Sequence, residues 1–500
     1  MQKLTFCHLV SFLLLLTNMP AMAQNQASPL ASAFSQFSSD RAVSNANWTF
    51  VVYDVTAGMP IIEHNPHKPL VPASTQKLLT TSTALLTLGA GHQYETLLQH
   101  DGYIAPDGTL HGNLYMKGSG DPSFGAFRMD DTLAIDQVMN RFIVAVRQAG
   151  IHSILGHVIA DERIFDHEMV PRRWIWEHIG NYFGAGTSGL SVNENEYTVL
   201  FNAGDHIGAP ASVAGTEPLI PGMVLVNEVT TGSAGSGDQV YIFGAPYNNQ
   251  RRLTGTVPLG ARAFPVRGSM AEPPQFLADV FASLLQDAGI EVKGESMSMR
   301  SASQKGFSEL GERTTIHGYE SPFLFDIIYR TNLASVNSYA ESLLKTLGDH
   351  INQEGTTAAG LEAIAAFWEV RGIDPSSWSL FDGSGLSPSN RLTAHQLLQV
   401  LSVTANHPAF NVLLHSLPLA GYSGSLGPHF HGTPSEGVLR AKSGYLTNAR
   451  AFAGYTPMQN GHLAAFVIIV NDYQDTPAAM RNKMFRLMDA ITRHDGQPLR

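Results

Sequence analysis

Residues 48–55 (Trp48, Thr49, Phe50, Val51, Val52, Tyr53, Asp54, Val55) are β-branched or aromatic at every position but Asp54, which predicts a strand. Ala57-Gly58-Met59-Pro60 turns the chain into a second strand ending near His64. After Pro72-Ala73 the pattern changes: apolar side chains recur at helical spacing from Thr75 to Leu88, and Gly89 supplies a stop. That places Ser74 at the start of a helix. Near the other end, residues 451–455 and 463–470 read as strands around an Asn460-Gly461 turn, followed by a helix over about 478–492. Both ends of the chain therefore contribute strands, which predicts an α/β (α+β) fold with an antiparallel sheet covered by helices. The middle differs. From about 95 to 268 the chain is glycine-rich, with short strand-like pieces at 114–116 and 157–159 and the polar turn Ser233-Ala234-Gly235-Ser236-Gly237. Helical periodicity returns near Pro274, over residues 276–285.

A chain of 500 residues exceeds what one core usually organises. The expected layout is a catalytic domain built from 24–94 and 269–500, interrupted by a mostly β insertion at 95–268 that holds two domains. Residues 1–23 read as a secretory signal peptide: Lys3, an apolar run at 12–16, then the small-x-small site Ala21-Met22-Ala23. That apolar run is too short to span a bilayer. The protein is expected in an extracytoplasmic space, the periplasm, either free or loosely attached to a membrane, with no transmembrane anchor. Cys7, the only cysteine, lies in the segment to be removed, so cysteine catalysis is excluded. The net charge of -11, without a basic run, argues against nucleic acid as a partner.

Three short motifs carry chemistry. In Ser74-Thr75-Gln76-Lys77 the first and last residues share one helix face, so the lysine amine can lie beside the serine hydroxyl. A lysine serves as a base only if burial or a neighbouring cation depresses its pKa. Backbone N–H groups at a helix start also favour developing negative charge. Ser335-Val336-Asn337 is the second motif. Lys442-Ser443-Gly444, just before a strand, is the third, and its cation, hydroxyl and glycine suit close approach of a carboxylate-bearing substrate. Ser342-Leu343-Leu344-Lys345 and Ser191-Val192-Asn193 repeat the first two patterns, so each motif alone is weak. Ser342 falls inside a helical run, whereas Ser74 opens one.

Other chemistries find less support. Residues 184–189 satisfy a dinucleotide-type glycine pattern, but no helix opens after them. His167-Glu168 has no second histidine at zinc-protease spacing, and the 20 histidines form no ligand cluster, so neither metal nor cofactor is expected. A Gly-x-Ser-x-Gly elbow is absent.

The ordered trio resembles the serine penicillin-recognising enzymes, and the whole mature chain resembles the D-Ala-D-Ala carboxypeptidase/endopeptidase family typified by penicillin-binding protein 4. Further similar stretches are residues 118–122 (Gly118-Ser119-Gly120-Asp121-Pro122), 190–195, 340–345 and 381–387. The long gap between Ser74 and Ser335 also fits that family. The resemblance implies that Ser74 attacks the carbonyl of the penultimate D-alanine while Lys77 takes its proton. Ser335 would pass a proton to the leaving amine, and Asn337 would hold Lys77 or the substrate amide. Lys442, Ser443 and Gly444 would hold the terminal carboxylate, with the Ser74 and Tyr445 N–H groups as oxyanion hole. Asp161 matches a position that contacts the distal part of the stem peptide. Substrates would be peptidoglycan peptides ending in D-Ala-D-Ala, and β-lactams would inhibit. Serine replaces the usual threonine at 443, and Tyr445 is larger than its usual counterpart, which bears on substrate preference. A β-lactamase is the rival enzyme, but no Glu-x-x-Leu-Asn segment is present to position a deacylating water. A non-catalytic wall-binding protein is the other rival, and it has no need of a serine–lysine pair.

Overall fold

The computed structural model describes residues 28–129 and 132–499, so the expected signal peptide lies outside the described residues. The two chain ends do build one antiparallel sheet, ordered Arg440–Leu446, Ala449–Pro457, Leu463–Asn471, Asn47–Asp54, Met59–His64. Its central strands read as unbroken apolar runs because both faces are covered. Side chains alternate along a strand, and here each set finds its own core. Phe50, Val52, Phe466, Ile468 and Val470 join the helices Pro29–Ser38 and Pro477–Thr492 on one face. Val51, Ala465, Val467 and Ile469 pack on the other against Leu78 of helix Lys77–Leu88, Tyr339 of helix Asn337–Asn352 and Leu397 of helix Ala394–Ala405. Helix Lys77–Leu88, preceded by the 3-10 turn Ala73–Gln76, is thus buried almost throughout.

The chain leaves this unit after residue 94 and builds smaller sheets. One is ordered Ser296–Ser298, Val158–Asp161, Leu114–Lys117, Glu95–His100, Thr314–Glu320. Strands Ser212–Glu217, Glu196–Asn202 and Phe264–Ser269 form another. The insertion is not only β, since helix Ile135–Gln148 lies within it. Helix Pro273–Asp287 buries Phe276, Leu277 and Phe281 in the core that holds Leu98, Phe142 and Val199, and Tyr319 closes the same core. Helix Leu324–Leu333 instead sends Leu324, Ile327 and Ile328 into the core that holds Val51, Val467 and Ile469.

Candidate active site

Ser74 sits in the 3-10 turn Ala73–Gln76, one residue after Ala73, which is held at φ +45°. A non-glycine residue in that region costs about 1–3 kcal/mol and persists only when its surroundings enforce it. The enforcing contact is the edge strand Arg440–Leu446. A β-carbon on Gly444 would stand 2.8 Å from the Pro72 carbonyl and 3.0 Å from the Ser74 nitrogen, so only glycine lets strand and turn meet this closely. Ser74 is half-buried, and Lys77, one turn on, is buried completely.

The three motifs converge. Lys77 Nζ lies 3.1 Å from Ser74 Oγ and donates to Asn337 Oδ1 at 2.5 Å and to the Ser384 carbonyl at 2.8 Å. Lys442 Nζ donates to Ser335 Oγ at 2.9 Å and to the Ser443 carbonyl at 2.8 Å. Ser335 is itself held at φ +60°, two residues before helix Asn337–Asn352. Burial pulls the Lys77 amine down from the usual lysine range to about 7, although Glu341 and Asp382 work in the other direction. Burial also pushes Lys442 well below its ordinary value, and the nearby Lys77 adds to that. Ser443 Oγ lies 2.8 Å from Ser425 Oγ, and the Tyr445 side chain is 52% exposed, at the mouth of the site. A hydroxyl beside an amine depressed to about 7, at a helix start, is equipped for nucleophilic acyl transfer.

A model of the D-Ala-D-Ala carboxypeptidase 3 (S13) family matches residues 30–493. The chain belongs to that family. A D-alanyl-D-alanine carboxypeptidase of Actinomadura sp. (strain R39) is 29% identical over 454 residues, covering 88% of this chain and 80% of the relative. The D-alanyl-D-alanine carboxypeptidase DacB of Haemophilus influenzae is 24% identical over 444 residues, 86% of either chain. The crystal structure of penicillin binding protein 4 (dacB) from H. influenzae matches with TM-score 0.77 at 21% identity, over 91% of this chain and 97% of that one. The same protein complexed with a β-lactam matches with TM-score 0.73 at 20% identity, over 92% and 99% respectively. The fold is therefore the penicillin-recognising one, and the chain is an S13-family serine peptidase.

Within this S13 framework several supporting groups carry no motif. The Ser384 carbonyl that receives Lys77 is fixed from behind: Glu341 accepts from the Gly383 and Ser384 N–H groups at 2.9 and 2.8 Å. Asp382 accepts from the backbone of Gly385 and Ser387 and from the side chains of Gln76, Trp174 and Asn390. Burial, together with the charge of Asp382, raises the Glu341 carboxyl well above the usual carboxylate range. Both residues fall in stretches already similar to the family, and an acidic residue at a core-facing helix position such as 341 was the available signal. Glu341→Ala removes the carboxyl that accepts from the Gly383 and Ser384 N–H groups. It leaves two buried N–H groups without an acceptor, at about 1–3 kcal/mol each. The expected result is a urea midpoint lowered by a loss of about 3 kcal/mol, with slower penicillin acylation of the protein that remains folded. An unchanged midpoint would show that the Ser384 carbonyl is held by something else.

Phe183 and Trp174, far from the motifs in sequence, also reach the site. Asn337 Nδ2 donates to the Phe183 carbonyl at 2.7 Å, and the Trp174 indole donates to Asp382 Oδ2 at 2.8 Å. Asp161, by contrast, lies in an ion-pair cluster of its own. It ends a strand of the separate five-stranded sheet, is 3% exposed, and takes 2.7 Å ion pairs from both Arg163 and Arg313. Burial opposes its ionisation, yet the two arginines prevail and hold its carboxyl below the usual range. Among the described residues no hydrogen bond or ion pair ties Asp161 to the three motifs. The repeated patterns resolve as packing: Ser342 donates to the Gly120 carbonyl, Lys345 pairs with Asp166 at 2.6 Å, and Ser191 donates to the Ser188 carbonyl.

Proposed function

We propose that Ser74 is the nucleophile of a serine D-alanyl-D-alanine carboxypeptidase/endopeptidase acting on peptidoglycan stem peptides, and that β-lactams acylate the same hydroxyl. The observation that carries this reading is the 3.1 Å contact between Ser74 Oγ and a fully buried Lys77 amine whose pKa falls to about 7. In the first half-reaction Lys77 Nζ takes the Ser74 proton as Oγ bonds to the carbonyl carbon of the penultimate D-alanine. The oxyanion is met by the N–H groups of Ser74 and Tyr445, at the helix start and on the edge strand that Gly444 lets close. As the peptide bond breaks, the leaving amine of the terminal D-alanine takes a proton through Ser335, which the 2.9 Å contact connects to Lys442. Water then cleaves the Ser74 ester by the reverse use of the same groups. The terminal carboxylate sits against Lys442 and Ser443, and its negative charge favours a proton on the buried Lys442 amine.

The domain reading that goes with this is a catalytic unit interrupted by an insertion whose Phe183 and Trp174 brace the site. Delivery by the signal peptide at 1–23 to the periplasm completes the proposal. It is supported by the apolar run at 12–16 and the Ala21-Met22-Ala23 site, and no described helix is long and apolar enough to cross a membrane.

The test is direct. Purified protein given an acyl-D-Ala-D-Ala peptide should release free D-alanine, and pre-incubation with penicillin should stop it. Penicillin hydrolysis sustained over many turnovers, with no D-alanine release, would move the assignment to a β-lactamase. Binding of wall peptides with neither reaction would leave a binding protein.

A further inference from the structure

Of the five tryptophans, only Trp176 is mainly exposed, at 56%. Trp174 and Trp368 are buried and donate their indole N–H groups to Asp382 and Thr83. A lone exposed aromatic needs no explanation, but Trp176 walls a cleft of about 280 Å3 whose other sides carry Phe243, Asn248, Gln250 and Arg252. Strands Gln239–Phe243 and Gln250–Pro258 pair with Phe243 opposite Arg252. Side chains alternate along a strand, so Phe243, Gln250 and Arg252 share one face. The Trp176 and Phe243 rings stand 6.2 Å apart, tilted by 32°.

The ring is held in place by its backbone. Trp176 opens the short helix Trp176–Ile179, and Asn181 just beyond it donates to the Glu177 carbonyl at 2.7 Å and accepts from the Ile242 N–H at 3.0 Å. A β-carbon on Gly180 would collide with the Ile242 carbonyl, so only glycine lets the helix end meet the strand. The same segment reaches the catalytic centre, through Trp174 on Asp382 and through the Phe183 carbonyl on Asn337. Trp174 and Trp176 are two residues apart, so their Cα atoms lie within about 7 Å. One short stretch of chain therefore walls both the active site and the cleft. The cleft carries no unpaired charge, because Arg252 pairs with Glu228 at 2.6 Å. Asn248 Oδ1 accepts from the Gln250 N–H, while the Asn248 NH2 group and the Gln250 side chain have no partner among the described residues. Two ring faces beside neutral amides suit a sugar, whose C–H faces stack on aromatics and whose hydroxyl and N-acetyl groups bond to amides. A charged polymer would need an unpaired charge here, and an apolar peptide would strand the amides.

We propose that this cleft binds the glycan of the substrate, a β-linked polymer of N-acetylated hexosamines, by stacking on Trp176 and through the amides of Asn248 and Gln250. The inference rests on the peptidase reading above and names the polymer to which the stem peptide is attached. Each extended residue reaches about 3.5 Å, so a stem of a few residues held at Ser74 can carry its sugar to a cleft on the same wall. Cleavage is then favoured for stems still joined to their glycan.

The experiment compares one stem peptide ending in D-Ala-D-Ala, free and attached to soluble glycan strands. Attachment should raise kcat/KM about tenfold, chiefly through KM, as expected for one aromatic anchor. Added salt should leave that ratio nearly unchanged, since no unpaired charge is involved. In Trp176→Ala the ratio should fall to about one, and Gln250→Ala should lower it partway. An excess of β-1,4-linked N-acetylglucosamine oligosaccharide should erase the advantage. A cellulose oligosaccharide of equal length, which lacks the N-acetyl groups, should compete poorly. Equal rates for free and attached peptide in the wild-type protein would overturn the proposal, as would a ratio that survives Trp176→Ala. If Trp176→Ala does not fold, Gln250→Ala and the competition decide. Pull-down of Ser74→Ala protein on peptide-free glycan strands separates the two readings. Glycan binding there, with no D-alanine released by wild type from either substrate, would sink the peptidase assignment and leave the cleft. D-alanine release without glycan binding would remove only the cleft.

Discussion

Ser74→Ala protein should take up no penicillin and should release D-alanine about four to six orders of magnitude more slowly than wild type. A serine nucleophile and its base act as one unit, so losing the hydroxyl removes nearly all the chemistry that they perform together. The prediction is sharper than usual because the site holds a second serine–lysine contact, Ser335 with Lys442, at 2.9 Å. By distance alone that pair rivals Ser74 with Lys77 at 3.1 Å. Electrostatics separates them. Ser74 lies in the turn that opens helix Lys77–Leu88, and its own N–H is pressed against the edge strand at Gly444, where an oxyanion can be received. Intact-mass spectrometry with peptide mapping should find one adduct on Ser74 in the wild-type and Ser335→Ala proteins, formed more slowly in the latter. An adduct on Ser335 in the Ser74→Ala protein would reverse the two roles.

The chemistry of this site was more legible in the sequence than its scaffolding. Ser74 and Lys77 announce themselves because helical spacing puts them together whatever the rest of the fold does. The strands at both ends follow from composition, and the two-sided burial of Phe50, Val51 and Val52 explains why they show no polar alternation. What stayed hidden is carried by backbone atoms and distant partners. The carbonyls of Phe183 and Ser384 hold Asn337 and Lys77, and a carbonyl has no letter in a sequence. The pairing of Asp161 was hidden too, because its second partner, Arg313, lies 152 residues away. The packing partner of helix Pro273–Asp287 was hidden for a related reason. The apolar stripe of helix Pro273–Asp287 says that one face is buried, but not which sheet buries it.

Acylation by a β-lactam should follow the ionisation of Lys77, rising with pH and levelling off above about 7. The sign follows from the chemistry: only the neutral amine can accept the Ser74 proton, so activity is lost as pH falls through the lysine's pKa. Below that point the second-order acylation rate should drop about tenfold per pH unit, as for any single essential base. The magnitude of the shift decides the physiological outcome. An exposed lysine titrates near 10.4 and would leave well under a hundredth of the enzyme competent at neutral pH. Complete burial of Lys77 removes water from the ammonium form and brings the value to about 7, so that a large fraction is ready to react. The buried carboxyl groups of Glu341 and Asp382 limit the fall by favouring the cation. Lys77→Arg tests the same point from the other side. A guanidinium keeps the positive charge and several donors but cannot give up its proton in this range. It should therefore cost about a thousandfold in acylation while the fold survives. A profile that begins to rise only above about 9, or Lys77→Arg protein that acylates nearly as fast as wild type, would remove Lys77 from the role of base.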